Sequence, residues 1–133
     1  MRVVFADDLS AERMQLRRII KSELGFEVVG EARDGQEAIE LCRKHRPDVV
    51  ILDVLMPKLT GLQAAPQIVA EDLVQHVVVC SSQAQHAIID QFKLLRSDTV
   101  KVHFCLKPYD PNNAEPGGGQ LHRLLAGLDH GVA

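Results

Sequence analysis

One carboxylate, Asp53, stands directly after an apolar run and before a proline-containing loop. Residues 49–52 are Val-Val-Ile-Leu, a pattern typical of a strand buried on both faces inside a parallel sheet. A carboxylate at the carboxyl end of such a strand lies where open α/β sheets bind their ligands. The loop begins at Pro57, after Met56, because proline cannot continue the strand. An acidic residue here can also simply cap a loop, and the neighbouring strand ends decide between the two interpretations.

Polar side chains also follow three other predicted strands. They are Asp7 and Asp8 after the first strand, Ser81 and Ser82 after the fourth, and Lys107 after the fifth. The carboxyl ends of parallel strands meet at one edge of a sheet. We therefore expect three carboxylates, a hydroxyl and an ammonium to share one crevice. Two of these groups also have simpler interpretations, since Asp7 and Asp8 suit the start of a helix and the serines suit a helix N-cap.

The chemistry of this set is that of phosphoryl acceptance. Crowded carboxylates repel one another unless a cation neutralises them. Oxygen ligands with no nearby His or Cys suit Mg²⁺ or Mn²⁺. A carboxylate can then attack phosphorus as a nucleophile, while the metal ion and the ammonium neutralise the equatorial oxygens during in-line transfer.

Strands and helices must alternate along the chain to place these groups together. Strands are predicted over residues 3–6, 27–31, 49–53, 77–80 and 102–106, and helices over residues 11–24, 35–45, 61–71 and 83–95. Such alternation with short links predicts an α/β fold, a doubly wound parallel sheet of five strands with helices on both faces. Residues 1–133 are expected to form a single domain.

Local signals predict how the first and third helices begin and which side they bury. Ser10 is a plausible N-cap for the first helix, and Gly25 ends it. Its buried stripe is predicted to contain Met14, Leu16, Ile19, Ile20 and Leu24. In the third helix, Pro66 is expected to lie early, where a missing N–H costs least.

The end of the chain is less regular. Residues 110–119 are rich in Pro, Gly and Asn and cannot hold a helix. Helical spacing returns over residues 120–128, so we predict a short and loosely tethered final helix.

Composition and charge exclude several classes of function. The net charge of −3 favours neither nucleic acid nor an anionic membrane. No apolar stretch approaches membrane-spanning length, and the early first strand leaves no room for a signal peptide. Three cysteines, Cys42, Cys80 and Cys105, have no CxxC spacing and are expected to be small buried side chains in a reducing, cytoplasmic setting.

Other charged and titratable residues have simpler expected roles. The six histidines show no ligand spacing, so surface or packing roles are expected rather than a transition-metal site. The basic residues of the first helix are expected to form a solvated face. They are Arg13, Arg17, Arg18 and Lys21.

Taken together, these motifs resemble the receiver domain of two-component response regulators, the family that includes the single-domain chemotaxis regulators. The residues that carry the resemblance occur in the family's order over residues 2–109. They are Asp7-Asp8, Asp53, Met56-Pro57, Gly61, Ser81, Phe104 and Lys107-Pro108. The resemblance implies a flavodoxin-like sheet with strand order 2-1-3-4-5.

The resemblance also implies a role for each site residue. Asp53 would be the phosphoacceptor, modified by a sensor histidine kinase or a histidine phosphotransfer protein. Asp8, Asp53 and the backbone carbonyl of Leu55 would bind Mg²⁺ or Mn²⁺, and Asp7 would act through water. Lys107 would contact the phosphoryl group. Ser81 and Phe104 would act as switch residues that reshape the surface of the fourth helix, fifth strand and fifth helix, although a strand aromatic such as Phe104 also suits a plain core role.

Two segments and two single positions depart from the family pattern or vary within it. Residues 96–101 replace the usual Gly/Ala-rich turn, and residues 110–119 displace the start of the fifth helix. Both fall on the surface that many family members use for dimerisation or output. Leu55 and Gln83 occupy variable positions that tune dephosphorylation.

The resemblance predicts a signalling switch with a downstream protein partner or a fused output domain, without direct nucleic-acid or membrane binding. The chain is not expected to be an enzyme beyond self-phosphorylation from small donors and self-dephosphorylation. One alternative is a phosphatase with an aspartyl-phosphate intermediate, which resembles the haloacid dehalogenases but needs a second Asp at the position of Leu55. The other is a phosphorylation-independent scaffold with the same fold.

Overall fold

The computed structural model describes residues 1–54, 56–81, 97–106, 121 and 124–128. Within these residues the strands form one parallel sheet of five strands, in the order β2-β1-β3-β4-β5. The strands are β1 (Arg2–Ala6), β2 (Glu27–Ala32), β3 (Val49–Asp53), β4 (His76–Ser81) and β5 (Lys101–Leu106). The predicted sheet and its strand order are therefore confirmed.

Helices cover both faces of the sheet. The three continuous α-helices of the described residues are α1 (Ser10–Arg17), α2 (Gly35–His45) and α3 (Gly61–Ala70). One core cluster packs β3 residues Val50 and Leu52 with α2 and α3, and a second packs Val49 and Ile51 on the side of α1. The central strand is thus buried on both faces, as its continuous apolar run predicts.

Two helix starts follow from short capping motifs. The side chain of Asp34 accepts the backbone N–H of Glu37 at 2.8 Å, which explains why this carboxylate is buried. Thr60 caps α3 in a capping box with Gln63. Both caps satisfy backbone donors at helix N-termini, and both lie beside the loop that follows β3.

The first helix differs from its prediction in three respects. Its N-cap is Leu9, not Ser10, because the Leu9 N–H already donates to Asp7 Oδ1 at 3.0 Å and the Leu9 carbonyl accepts the first helical bond. The helix becomes π-helical over Arg18–Glu23. Met14 is 64% exposed rather than buried, because a residue two positions from Leu16 points to the opposite side of the helix.

The other members of the predicted stripe lie near the core. Leu16, Ile19 and Ile20 are fully buried, and Leu24 packs against the core while partly exposed. Gly25 has φ of +70°, a left-handed conformation that glycine adopts without strain, so its role as the end of this helix is confirmed.

Two further expectations about helices are wrong. Pro66 lies inside α3 and not in its first turn. The helix continues to Ala70 because Ala64, Ala65 and Ile68 bury its inner face. Near the chain's end, Leu121 and Leu125 are fully buried in the second core cluster, so the described part of the final helix is packed firmly and not loosely tethered. The predicted helix over residues 83–95 and the irregular segment 110–119 lie outside the described residues.

The turn before β5 is held by side-chain hydrogen bonds. Ser97 Oγ accepts the backbone N–H groups of Thr99 and Val100 at 3.2 and 3.1 Å. Thr99 Oγ1 donates to Asp72 Oδ1 at 2.7 Å. The described part of this unusual segment is therefore tied to the turn that follows α3. None of the helices in the described part of the chain combines the length and apolar character needed to cross a bilayer.

All three cysteines are buried, as expected. Burial raises the pKa of the Cys42 thiol to about 12, so this thiol stays protonated and unreactive at neutral pH.

Two histidines meet at the edge of the sheet opposite the strands' carboxyl ends. His76 Nδ1 and His103 Nε2 lie 3.1 Å apart. In the register of β4 and β5, His76 is paired with Lys101, and His103 lies two residues further along β5. Burial, followed by the positive charge of Lys101, lowers the pKa of His76, although Asp48 opposes the shift. Burial and the neighbouring charges of His76 and Lys101 lower the pKa of His103.

This pair should make stability depend on pH. The unfolded chain binds protons near the ordinary histidine pKa of 6.5, whereas the folded pair binds them only at lower pH. The free energy of unfolding should thus be constant above about pH 7.5 and fall as pH decreases through 6.5 towards the folded pKa values. Urea unfolding at several pH values measures this. Replacing both residues by Gln should flatten this part of the curve, and a His45→Gln control should not.

Candidate functional site

The end of β3 places Asp53 in a buried and tightly packed position. Asp53 is the last residue of β3 and is 4% exposed. The chain leaves the sheet at the next residue, where the Val54 N–H donates to the Cys80 carbonyl at 3.2 Å. The Gly61 N–H then returns to the Val54 carbonyl at 2.9 Å. The loop after β3 is therefore closed directly over the backbone of Asp53.

Two glycines allow this closure. A Cβ on Gly61 would overlap the carbonyl oxygen of Asp53, and one on Gly35 would overlap the carbonyl oxygen of Leu59. Within the loop, Met56 is buried in the first core cluster, while Pro57 is exposed. The starts of α2 and α3 thus hold the loop from both sides.

Three carboxylates meet at the carboxyl ends of β1 and β3. Oxygen atoms of Asp7, Glu12 and Asp53 all lie within 4.8 Å of one another. Asp7 directly follows β1 and is fully buried. Its N–H donates to the Ala32 carbonyl at 3.1 Å, and its Oδ1 accepts the Leu9 N–H at 3.0 Å. Asp7 is therefore fixed by β2 and by the turn into α1.

This donor set fits a small divalent cation. All three groups offer carboxylate oxygens, which are hard ligands of the kind that Mg²⁺ and Mn²⁺ prefer. A divalent cation would also offset the repulsion among three neighbouring negative charges. The residues present are thus suited to the metal that the sequence predicts.

The structure brings together some of the predicted ligands. Asp7 and Asp53 belong to the carboxylate cluster, whereas Asp8 is exposed and is not among its members. Ser81 is the last residue of β4, opposite Leu106 of β5. Leu55, Lys107 and Pro108 lie outside the described residues, as does Gln83.

Phe104 lies within β5, opposite Val79 of β4. Its side chain is partly exposed and packs against the first core cluster. This position is compatible with a plain packing role and with a side chain that changes its exposure.

The basic face of the first helix is only partly solvated. Arg13 Nη1 donates to the Asp7 carbonyl at 2.8 Å, and Arg17 forms a two-point pair with Glu31. Arg18 and Lys21 are exposed. The arginine nearest the carboxylate cluster thus helps to hold its backbone, while two cations remain at the surface.

Sequence reasoning missed Glu12. The residue lies third in α1, four positions after Asp8, and its charge suits the first turn of any helix. The signal was present in the sequence as an acidic residue one helical turn beyond an acidic pair. This signal can be interpreted only when the start of the helix is known. Because α1 begins at Ser10, the Glu12 carboxylate lies beside Asp7 and Asp53.

Comparison with known proteins agrees with this geometry. The family described as "Response regulator receiver domain" matches residues 3–113. The chain therefore belongs to the receiver domains of two-component phosphorelay response regulators.

Two curated relatives show the range of this similarity. The chain is 37% identical over 112 residues to the chemotaxis protein CheY of Thermotoga maritima, covering 84% of this chain and 88% of that protein. It is 36% identical over 115 residues to the transcriptional regulatory protein PdtaR of Mycobacterium tuberculosis, covering 86% of this chain. It spans only about half of PdtaR, 53% of its length.

A solved structure shows the same fold. A chain of the CheX-CheY-BeF3-Mg+2 complex from Borrelia burgdorferi superposes with a TM-score of 0.76 at 25% identity, covering 96% of this chain and 89% of that chain.

Proposed function

We propose that Asp53 is the phosphoacceptor of this receiver domain and that a sensor histidine kinase or a histidine phosphotransfer protein supplies the phosphoryl group. The observation that carries the proposal is the carboxylate cluster of Asp7, Glu12 and Asp53 at the carboxyl ends of β1 and β3. A nucleophilic carboxylate in a cation-binding pocket is what phosphoryl transfer requires.

The reaction is an in-line displacement at phosphorus. A carboxylate oxygen of Asp53 forms the new P–O bond, and the P–N bond to the donor histidine breaks as the imidazole leaves with its electron pair. A divalent cation, when bound, neutralises charge on the phosphoryl oxygens. Asp8, Asp53 and the Leu55 carbonyl would hold that cation, and Asp7, fixed by the Leu9 N–H, would act through water.

The signal then passes from Asp53 to the neighbouring strands. Lys107 directly follows β5 in the chain, and we propose that its ammonium contacts the phosphoryl group. Ser81 ends β4, whose partner strand β5 carries Phe104. A hydroxyl drawn towards the phosphoryl group and a responding aromatic would alter the surface of the fourth helix, fifth strand and fifth helix.

The expected binding partners and the cellular location follow from the same role as a phosphoacceptor switch. The kinase or phosphotransfer protein would approach beside α1, where Arg18 and Lys21 are exposed. The output is a downstream protein or a fused domain, since the chain matches nearly all of one regulator and about half of another. A cytoplasmic location suits a phosphorelay component, and the domain is proposed to occupy residues 1–133 as one unit with no direct nucleic-acid or membrane binding.

The proposed chemistry is a switch and not a catalytic cycle. A phosphatase with the same nucleophile needs an acid/base carboxylate two residues later, and residue 55 is leucine. A fold-only scaffold has no need of three adjacent carboxylates, whose mutual repulsion is unfavourable without a cation. Self-phosphorylation from small donors and self-dephosphorylation are the only turnover expected.

Incubation with acetyl phosphate and Mg²⁺ separates the three possibilities. Intact mass should show one phosphoryl group per chain with Mg²⁺ and none with EDTA, and release of acetate should stop near one equivalent apart from slow self-dephosphorylation. Repeated turnover of several organic phosphates would support the phosphatase instead. No adduct with acetyl phosphate, phosphoramidate or a phosphorylated histidine donor would contradict the switch.

A further inference from the structure

The carboxylate cluster contains a residue that the phosphoacceptor chemistry does not require. Glu12 is the third residue of α1 and is partly exposed. Its carboxylate nevertheless lies within 4.8 Å of the oxygens of Asp7 and Asp53. Asp8, the neighbour of Asp7 in sequence, is exposed and outside this set. The cluster therefore draws its third carboxylate from the helix and not from the acidic pair.

Helix capping does not account for this placement. A glutamate at the third helical position commonly bends back to the backbone N–H of the N-cap residue. Here the N-cap is Leu9, and its N–H donates to Asp7 Oδ1 at 3.0 Å. Attraction to the helix dipole alone would be satisfied with the carboxylate in solvent. Glu12 instead lies close to two buried carboxylates, and a divalent cation would offset the repulsion among the three charges.

We propose that Glu12 is a ligand of the divalent cation, directly or through one water, and that it strengthens cation binding before phosphorylation. This inference rests on the proposed function, because the cation is the one that assists transfer to Asp53. The three carboxylates carry three negative charges towards one point. A cation is held more tightly by three carboxylates than by the one or two that Mg²⁺ sites usually contain.

The same charge has a consequence after transfer. A phosphoryl group on Asp53 adds negative oxygens beside Glu12, so this carboxylate should favour the unphosphorylated, metal-bound form relative to a chain without it. By strengthening cation binding, Glu12 also lowers the cation concentration at which Asp53 can accept a phosphoryl group. Its effect on cation occupancy disappears once the cation is saturating, whereas the repulsion of the phosphoryl group remains.

Calorimetric titration of the full chain with Mg²⁺ tests this directly, with Mn²⁺ titration followed by loss of the free-ion EPR signal as a second readout. Glu12→Gln keeps the side chain's size and removes its charge. We expect its dissociation constants to be about tenfold weaker than wild type, in the range seen when supporting groups of metal sites are removed. Glu27→Gln removes one exposed carboxylate at the opposite end of the sheet and should bind like wild type.

The outcomes are distinct. Affinity of Glu12→Gln within twofold of wild type would overturn the inference, and so would equal weakening in Glu27→Gln, which would show an effect of net charge alone. Circular dichroism and thermal melting of both variants in EDTA verify that they are folded. Failure of the wild-type chain to bind either cation would instead count against the proposed function itself.

Discussion

An Asp53→Asn variant should accept no phosphoryl group from acetyl phosphate at any Mg²⁺ concentration. The amide lacks the negatively charged oxygen that attacks phosphorus, and no other carboxylate of the cluster follows β3. Intact mass measures the loss, which should be complete. The variant should remain folded, since the amide closely matches the carboxylate in size.

The same variant should be more stable than wild type in metal-free buffer. Removing one of three negative charges that lie within 4.8 Å relieves repulsion, and we expect about 1 kcal/mol of added stability. Mg²⁺ should then stabilise the variant less than it stabilises wild type, because the variant, with one carboxylate fewer, binds the ion more weakly. Urea unfolding with and without Mg²⁺ measures both effects.

Asp34→Asn is the matched control. Asp34 is also a buried carboxylate, at 8% exposure, but its oxygen caps α2. Asparagine caps helices as well as aspartate does. This control should keep its phosphoryl adduct and near wild-type stability. Loss of the adduct in both variants would show that the phosphoacceptor is not specifically Asp53.

A Gly61→Ala variant should lose about 3 kcal/mol of unfolding free energy, because overpacking against fixed atoms is strongly destabilising. The added Cβ would overlap the backbone carbonyl of Asp53, and neither the strand nor the helix start can move freely. The variant should also be phosphorylated more slowly, since any shift of this carbonyl displaces the nucleophile. Chemical unfolding and the rate of adduct formation measure the two effects.

Gly30→Ala provides the comparison for a glycine substitution elsewhere. The three atoms nearest to its Cβ would be side-chain atoms of Leu41, the closest at 3.0 Å, and a flexible side chain can turn away. We expect a loss below about 1 kcal/mol and an unchanged rate of phosphorylation. Equal losses in the two variants would contradict the importance of the contact between Gly61 and Asp53.

Much of the fold was predictable because its signals are local and repeated. Apolar runs such as residues 49–52 can be satisfied only by burial on two faces, and the structure places β3 at the centre of the sheet. The boundaries of α2 followed from Asp34 and from the residues before Pro47 in the same way. The site also followed in outline, since Asp7 directly follows β1 and Asp53 ends the neighbouring strand β3.

What could not be predicted depends on geometry between elements. The switch from α- to π-helix at Arg18 changes hydrogen-bond partners without changing which residues are apolar, so the periodicity does not reveal it. The contact between His76 and His103 depends on strand register across 27 residues. Glu12 joins the cluster from the third position of α1, a helix whose start is held by the hydrogen bond from the Leu9 N–H to Asp7.

The central claim is that Asp53 carries the phosphoryl group, and chemical trapping of the phosphorylated chain tests it most directly. Borohydride reduces an acyl phosphate to an alcohol and would convert the modified aspartate to homoserine. Peptide mass spectrometry after acetyl phosphate and Mg²⁺ treatment should then find homoserine at position 53 and aspartate at Asp7 and Asp8. Homoserine at either of those two positions, or a stable phosphoryl group on a histidine with residue 53 unchanged, would contradict the claim.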